Sequence, residues 1–131
     1  MKKLRTMTGL ILSCLSIPSF ADCVSSIDDD YLDRKMQFAT GYEAAIILNC
    51  KKPTRAYDKA VCSNSKLKSL DAVSVQSIVA DLANQQKWDL DDDQIKSYAQ
   101  KEYQYRYKKA GKTPESICKF LLKELKETQG G

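Results

Sequence analysis

The stretch CKKPTRAYDKAVCSNSKLKSLD, residues 50–71, decides the fold of this chain. Cys50 and Cys62 enclose eleven residues, and the Lys-Lys-Pro run that follows Cys50 interrupts any preceding helix, because a residue before proline avoids helical angles. Thr54 is then placed as the N-cap of a short helix that ends near Cys62. The stretch predicts a short helix between two cysteines, followed by a turn at residues 63–65.

A long helix is predicted to begin at Ser65 and to run to about Gln86. Its apolar residues fall within one half of a helical wheel, as expected of a helix that covers a core. Asp71 lies in the middle of this apolar face. The apolar residues are Leu67, Leu70, Val75, Ile78, Val79 and Leu82.

On the amino-terminal side, residues 31–48 show apolar side chains at helical spacing. Asp28, Asp29 and Asp30 precede this segment, where negative charge favours a helix N-terminus. We therefore predict a first long helix over residues 31–48 that presents Cys50 on its buried face. The apolar residues of this face are Leu32, Met36, Ala39, Tyr42 and Ile46.

On the carboxyl-terminal side, two further helices are predicted. Residues 91–94, Asp-Asp-Asp-Gln, resemble a capping box, so a fourth helix begins there and runs to about Lys109, with Gly111 placed to end it. Thr113 and Pro114 have the residue types of an N-cap and a first helical residue, which predicts a last helix. No segment alternates with period two for long. The predicted fold class is therefore all-α, a small bundle of four to five helices with two disulfides.

The first 21 residues have the three parts of a secretory signal peptide. Residues 1–5 are mostly basic, residues 7–17 are apolar, and Ser19 and Ala21 are small residues at the positions that determine cleavage. The alternative is a lipoprotein acylated at Cys14, whose apolar run would be very short. Cleavage after Ala21 leaves residues 22–131 as a single helical domain, which we expect to be periplasmic and to contain no membrane span.

Four cysteines remain after cleavage, an even number in a chain addressed to an oxidising compartment. Zinc is the weaker explanation, because the chain has no histidine and no closely spaced cysteine pair. Three pairings are open. We favour Cys50 with Cys62, which flank one helix and its turn, and Cys23 with Cys118, which lie near opposite ends of the processed chain.

Two charged residues lie inside otherwise apolar helix faces. Asp71 belongs to the third predicted helix and Arg106 to the fourth, whose apolar side also carries several tyrosines. A buried charge without a partner is costly, whereas a hydrogen-bonded pair is tolerated. We therefore predict that Asp71 and Arg106 form an ion pair, or that Arg106 pairs with Glu102 one turn earlier.

No residue pattern indicates a reaction, a metal or a cofactor. Residues 89–100 resemble a calcium loop, but Gln94 stands where the loop needs glycine and Gln100 where it needs glutamate. The basic and aromatic residues 101–109 are more typical of core tyrosines with lysines at the surface than of a nucleic-acid site. The signal holds three of the 21 basic residues and none of the 17 acidic ones, so processing lowers the net charge from +4 to +1. We expect a non-enzyme without cofactors or nucleic-acid partners.

The central stretch resembles the signature of the lysozyme-inhibitor LprI family, in which two cysteines with eleven residues between them precede a Leu-x-x-Leu-Asp motif. The matching residues are Cys50, Cys62, Leu67, Leu70 and Asp71. A weaker similarity includes Tyr103 and the helix of Cys118. The family commonly has two late cysteines where this chain has one, and Cys23 lies in an extension that the family pattern lacks. The resemblance implies a helical, exported, disulfide-containing module, and at least one family member inhibits lysozyme.

The expected function is to bind and inhibit a peptidoglycan-degrading enzyme of the lysozyme type. Two acidic clusters are candidate partner-binding residues, because they could attract a basic hydrolase. The alternatives are an immunity protein that neutralises a type VI secretion effector and an envelope stress or chaperone-like binding protein. The tyrosine-rich fourth helix could also face a second copy of the chain. The acidic clusters are Asp28, Asp29 and Asp30, and Asp91, Asp92 and Asp93.

Overall fold

The computed structural model describes residues 22–86 and 89–128 as six α-helices and one short 3-10 turn, with no strand among these residues. The class is all-α, as predicted. The signal peptide and the lipoprotein alternative at Cys14 concern residues 1–21, which lie outside the described residues. The helices are α1 (Asp22–Ser25), α2 (Asp29–Phe38), α3 (Ala56–Cys62), α4 (Ser65–Gln86), α5 (Asp92–Lys109) and α6 (Pro114–Glu127), and the 3-10 turn is Glu43–Ala45.

Helix α4 lies at the centre and contacts α2, α3, α5, α6 and the 3-10 turn. Its bounds agree with the sequence-based prediction, but its burial differs. All of residues 73–77 are buried, including Ser74, Gln76 and Ser77, while Ile78 and Leu82 are only partly buried. A helix enclosed by neighbours buries polar as well as apolar positions. The single apolar face predicted for α4 is therefore too narrow.

Helix α2 is much shorter than predicted. It ends at Phe38 instead of continuing to residue 48, and the chain from residue 46 to residue 55 is not helical. Gly41 adopts a φ of +100°, which a right-handed helix excludes and which glycine adopts at little cost. Consequently Ile46 is 45% exposed, and Cys50 reaches its partner from a non-helical segment.

Helices α5 and α6 begin and end where local signals place them. The side chain of Asp91 accepts a hydrogen bond from the Gln94 backbone N–H, and Gln94 accepts one in return from Asp91, which forms the predicted capping box. Gly111 has a φ of +83°, and a Cβ there would lie 2.4 Å from Oγ of Ser116. Thr113 caps α6 as predicted, whereas α3 begins with Arg55 in the N-cap position and the predicted Thr54 lies one residue outside.

Two disulfides connect distant parts of this arrangement. Cys23 on α1 bonds to Cys118 on α6, with a Cα–Cα distance of 6.0 Å, and Cys50 bonds to Cys62 at the end of α3, with a distance of 5.5 Å. This is the pairing that the cysteine positions favour. The Cys23 backbone N–H also donates to Oε1 of Glu115 at 3.1 Å. The N-terminal extension is thus attached to the last helix.

The C-terminal end of α6 is capped by the buried side chain of Lys35. Nζ of Lys35 on α2 donates to the Thr128 carbonyl oxygen at 3.0 Å and to its Oγ1 at 2.9 Å. A positive charge is favourable there because the carbonyl groups of a helix C-terminus carry partial negative charge. Among residues 22–86 and 89–128, no helix is long and apolar enough to cross a membrane.

Candidate functional site

Asp71 and Arg106 form a buried ion pair between α4 and α5. Nη1 of Arg106 lies 2.9 Å from Oδ1 of Asp71, and the two side chains are 0% and 2% exposed. Nη2 of Arg106 donates to Oγ of Ser74 at 3.0 Å, one turn further along α4. The interior position of both charges in their helices is what the wheel positions indicated, and the pairing offsets part of the cost of burying each charge.

Two tyrosines complete the coordination of Asp71. The hydroxyl of Tyr57 on α3 donates to Oδ1 and that of Tyr103 on α5 donates to Oδ2. Burial raises the pKa of both phenols well above its usual range, so both remain protonated donors. Tyr57 and Tyr103 also meet edge to face, and the Arg106 guanidinium lies 5.2 Å from the centre of the Tyr103 ring. Three helices therefore meet at one carboxylate.

Two further carboxyl groups, those of Glu102 and Glu124, lie next to Arg106. Its Nε donates to Oε2 of Glu102 at 2.6 Å, and Oε1 of Glu124 on α6 lies 3.3 Å from the same nitrogen. The two partners proposed as alternatives for Arg106 are therefore both present. Burial, together with a hydrogen bond to Glu102, raises the pKa of Glu124 to about 8.

This raised pKa predicts a pH dependence of stability. Between the ordinary pKa of 4.5 and about 8, the folded chain retains a proton on Glu124 that the unfolded chain loses, so the free energy of unfolding falls as pH rises through this window. Urea unfolding of the wild type at about pH 5 and about pH 8.5 should show this fall. In Glu124→Gln, which cannot ionise, the fall should be smaller. If the free energy of unfolding fell equally with pH in the wild type and in Glu124→Gln, the assignment to Glu124 would be contradicted.

The buried cluster links α3, α4 and α5 away from solvent. Its central groups are at most 2% exposed, and their polar atoms bind one another. The sequence-based interpretation missed Tyr57, Tyr103, Ser74 and Glu124. A signal existed for two of them, because Ser74 follows Asp71 and Tyr103 precedes Arg106 by three residues, the spacing of neighbours on a helix face.

The two acidic clusters lie at helix starts. Asp28 accepts a hydrogen bond from the Asp30 backbone N–H at the start of α2, and Asp91 caps α5. Asp29, Asp30, Asp92 and Asp93 are exposed in the first turns of these helices. Capping thus accounts for one aspartate in each cluster, and the exposed ones remain available for the predicted partner contact.

A basic surface lies near the opposite end of α5. The guanidinium of Arg55 stacks over the ring of Tyr107 at 4.2 Å, and these two residues line a cavity of about 130 Å³ with Lys112. Lys51 and Lys52 precede Arg55 and are exposed. We call Lys51, Lys52, Arg55 and Lys112 the basic surface. The sequence-based interpretation treated residues 51–53 only as a helix break, so it missed this surface.

The tyrosines of α5 face different surroundings. Tyr103 is buried and Tyr107 is partly buried, and both pack with Tyr57. Tyr105 points outward, is 49% exposed and contacts the ring of Phe120. Most of this aromatic surface is thus used within the chain, and pairing with a second copy remains a prediction.

Comparison of the chain with protein-family models, with curated proteins and with solved structures gives no match. The candidate site therefore rests on the geometry of the buried cluster and of the two charged surfaces.

Proposed function

We propose that this protein is an exported, non-catalytic inhibitor that binds a peptidoglycan-degrading enzyme of the lysozyme type. The observation that carries the proposal is the use of residues 50–71, the stretch that resembles the lysozyme-inhibitor family. Within this stretch Leu67 and Leu70 are fully buried, Asp71 accepts hydrogen bonds from Tyr57 and Tyr103, and a disulfide joins the partly buried Cys50 and Cys62. Asp71 and Arg106, the buried charged groups, thus stabilise the fold. We therefore expect the partner-binding residues to lie on the surface.

Rigidity is the property that an inhibitor of this kind needs. Two disulfides and a buried ion-pair network hold the helices in one arrangement, so little conformational entropy is lost when the surface meets a partner. Disulfides are also typical of proteins in oxidising, extracytoplasmic compartments. A periplasmic location, where peptidoglycan hydrolases act, is part of the proposal.

The test is a turbidity assay with the processed chain, residues 22–131, in its disulfide-bonded form. Glycosidases that cleave peptidoglycan, both lysozymes and muramidases delivered by bacteria, would be added to cell-wall substrate with and without the protein. We expect inhibition at micromolar or lower concentration. A reduced and alkylated sample is the matched control and should inhibit much less. The proposal would be refuted if, at micromolar concentration, the protein neither inhibited nor formed a complex with any enzyme of the panel.

A further inference from the structure

We propose that the basic surface, and in particular the loop of residues 51–55, is the inhibitory surface and occupies the carboxylate-lined cleft of a muramidase. This inference rests on the proposed function and narrows it to one part of the molecule and one class of enzyme. The observation behind it is an exposed cationic loop closed by a disulfide and anchored on an aromatic ring.

Among the described residues, no carboxylate forms an ion pair with Lys51, Lys52 or Arg55. Lys51, Lys52 and Arg55 are exposed, and no acidic residue occurs between Cys50 and Tyr57. The first carboxylate that follows, Asp58, is 9% exposed and interacts with Tyr107 instead of forming an ion pair with Arg55. Lys112 joins Arg55 at the cavity below the loop. A concentrated positive field at this surface attracts anionic groups and steers their approach.

The loop is also held in place at both ends. Cys50 is bonded to Cys62, the Lys51 backbone N–H donates to Oδ1 of Asn49 at 2.9 Å, and proline 53 restricts its own φ. At the other end, the Arg55 carbonyl oxygen accepts the N–H of Lys59 at 2.9 Å. Such a loop is pre-organised, so it can enter a cleft without a large ordering cost.

The positive charge of the loop favours an enzyme whose cleft is lined by carboxyl groups. Most glycosidases place two carboxyl groups about 5–9.5 Å apart in their cleft. Lys51 and Lys52 are adjacent and carry long flexible side chains, so their ammonium groups can reach both carboxylates, while Arg55 is already held on Tyr107. A zinc-dependent peptidoglycan amidase presents a metal cation in its cleft and should repel the same loop.

The acidic cluster at the start of α5 cannot share this role. Helix α5 has 18 residues, and at about 1.5 Å per residue it separates Asp91 from Lys109 by about 27 Å. Tyr107, which holds the loop through Arg55, is in the last turn of that helix. The acidic cluster of α5 and the basic loop therefore face different parts of a partner, and the cleft receives the basic one.

The test compares Lys51→Glu/Lys52→Glu with a matched control, Lys96→Glu/Lys123→Glu, which makes the same charge change at two exposed lysines of α5 and α6. Both would be prepared as disulfide-bonded residues 22–131 and checked for wild-type melting. Against a lysozyme-class muramidase, the loop variant should lose inhibition on the order of 100-fold and the control less than about threefold. A zinc amidase should not be inhibited by any of the three proteins.

A second arm uses the muramidase with its ionised catalytic carboxylate, the nucleophile or general base, replaced by the corresponding amide. Wild-type protein should bind this enzyme at least about tenfold more weakly, whereas the loop variant should be indifferent to the change. If wild type inhibits and the loop variant inhibits equally, the inference is overturned while the proposed function stands. If wild type inhibits no muramidase, both fail. Loop-dependent binding to peptidoglycan fragments without enzyme binding would overturn the inference and assign the loop to the polymer.

Discussion

Replacing Asp71 with asparagine should lower the free energy of unfolding by about 3 kcal/mol or more, because it leaves a buried guanidinium without its main counter-charge. The Arg106 side chain is 0% exposed, so water cannot replace the lost carboxylate. The asparagine amide would also bring a donor to a position that Tyr57, Tyr103 and Arg106 all approach as donors. Glu102 still neutralises part of the charge, which keeps the loss from being larger.

Urea unfolding followed by circular dichroism measures this loss at constant pH. The matched control is Asp89→Asn, the same change at an exposed position before α5, and it should alter stability by less than about 0.5 kcal/mol. Similar unfolding midpoints for the two variants would show that the Asp71 carboxylate does not stabilise the folded chain. Tyr57→Phe tests the network separately, because it removes one donor to Asp71 and keeps the ring.

Removing the Cys23–Cys118 disulfide should destabilise the protein by about 5 kcal/mol in the chain-entropy model. This bond joins residues 95 apart, whereas Cys50–Cys62 joins residues 12 apart and should contribute about 3 kcal/mol. A small domain has a total stability of only about 5–15 kcal/mol. Loss of the longer bond therefore removes much of the stability, and reduction of both should unfold the protein or nearly so.

The measurement compares Cys23→Ala/Cys118→Ala with Cys50→Ala/Cys62→Ala by urea unfolding under non-reducing conditions. The first pair should be the less stable, partly because Cys118 is fully buried and its truncation also leaves a small void. A larger loss in the second pair would contradict the entropic explanation and would mean that the ordered loop of residues 51–55 contributes more than the long loop closure.

Features set by neighbouring residues could be predicted well. The bounds of α4, the capping box of Asp91 and Gln94 and the Thr113–Pro114 start of α6 depend on side chains and backbone groups within a few residues of each other. The pairing of the cysteines followed from their positions relative to one helix and to the chain ends. Asp71 and Arg106 stood out because each interrupts an apolar face.

Features that depend on distant packing could not be predicted. The periodicity of residues 31–48 is compatible with a longer helix, and only the folded chain, with Gly41 at a positive φ, ends α2 at Phe38. The burial of Ser74, Gln76 and Ser77 requires neighbours on every side of α4. The helices that surround α4 cannot be identified from the local sequence pattern of these three residues.

The amino-acid sequence by itself therefore determined the all-α class, most helix ends and the residues that carry buried charge, because caps, turns and apolar periodicity act over a few residues. Only the tertiary structure decided which side chains meet: Tyr57 and Tyr103 at Asp71, Glu124 beside Glu102, and Arg55 on Tyr107. The physical reason is that these contacts join helices separated by up to tens of residues. Their geometry follows from how the helices pack around α4, and no local pattern records it.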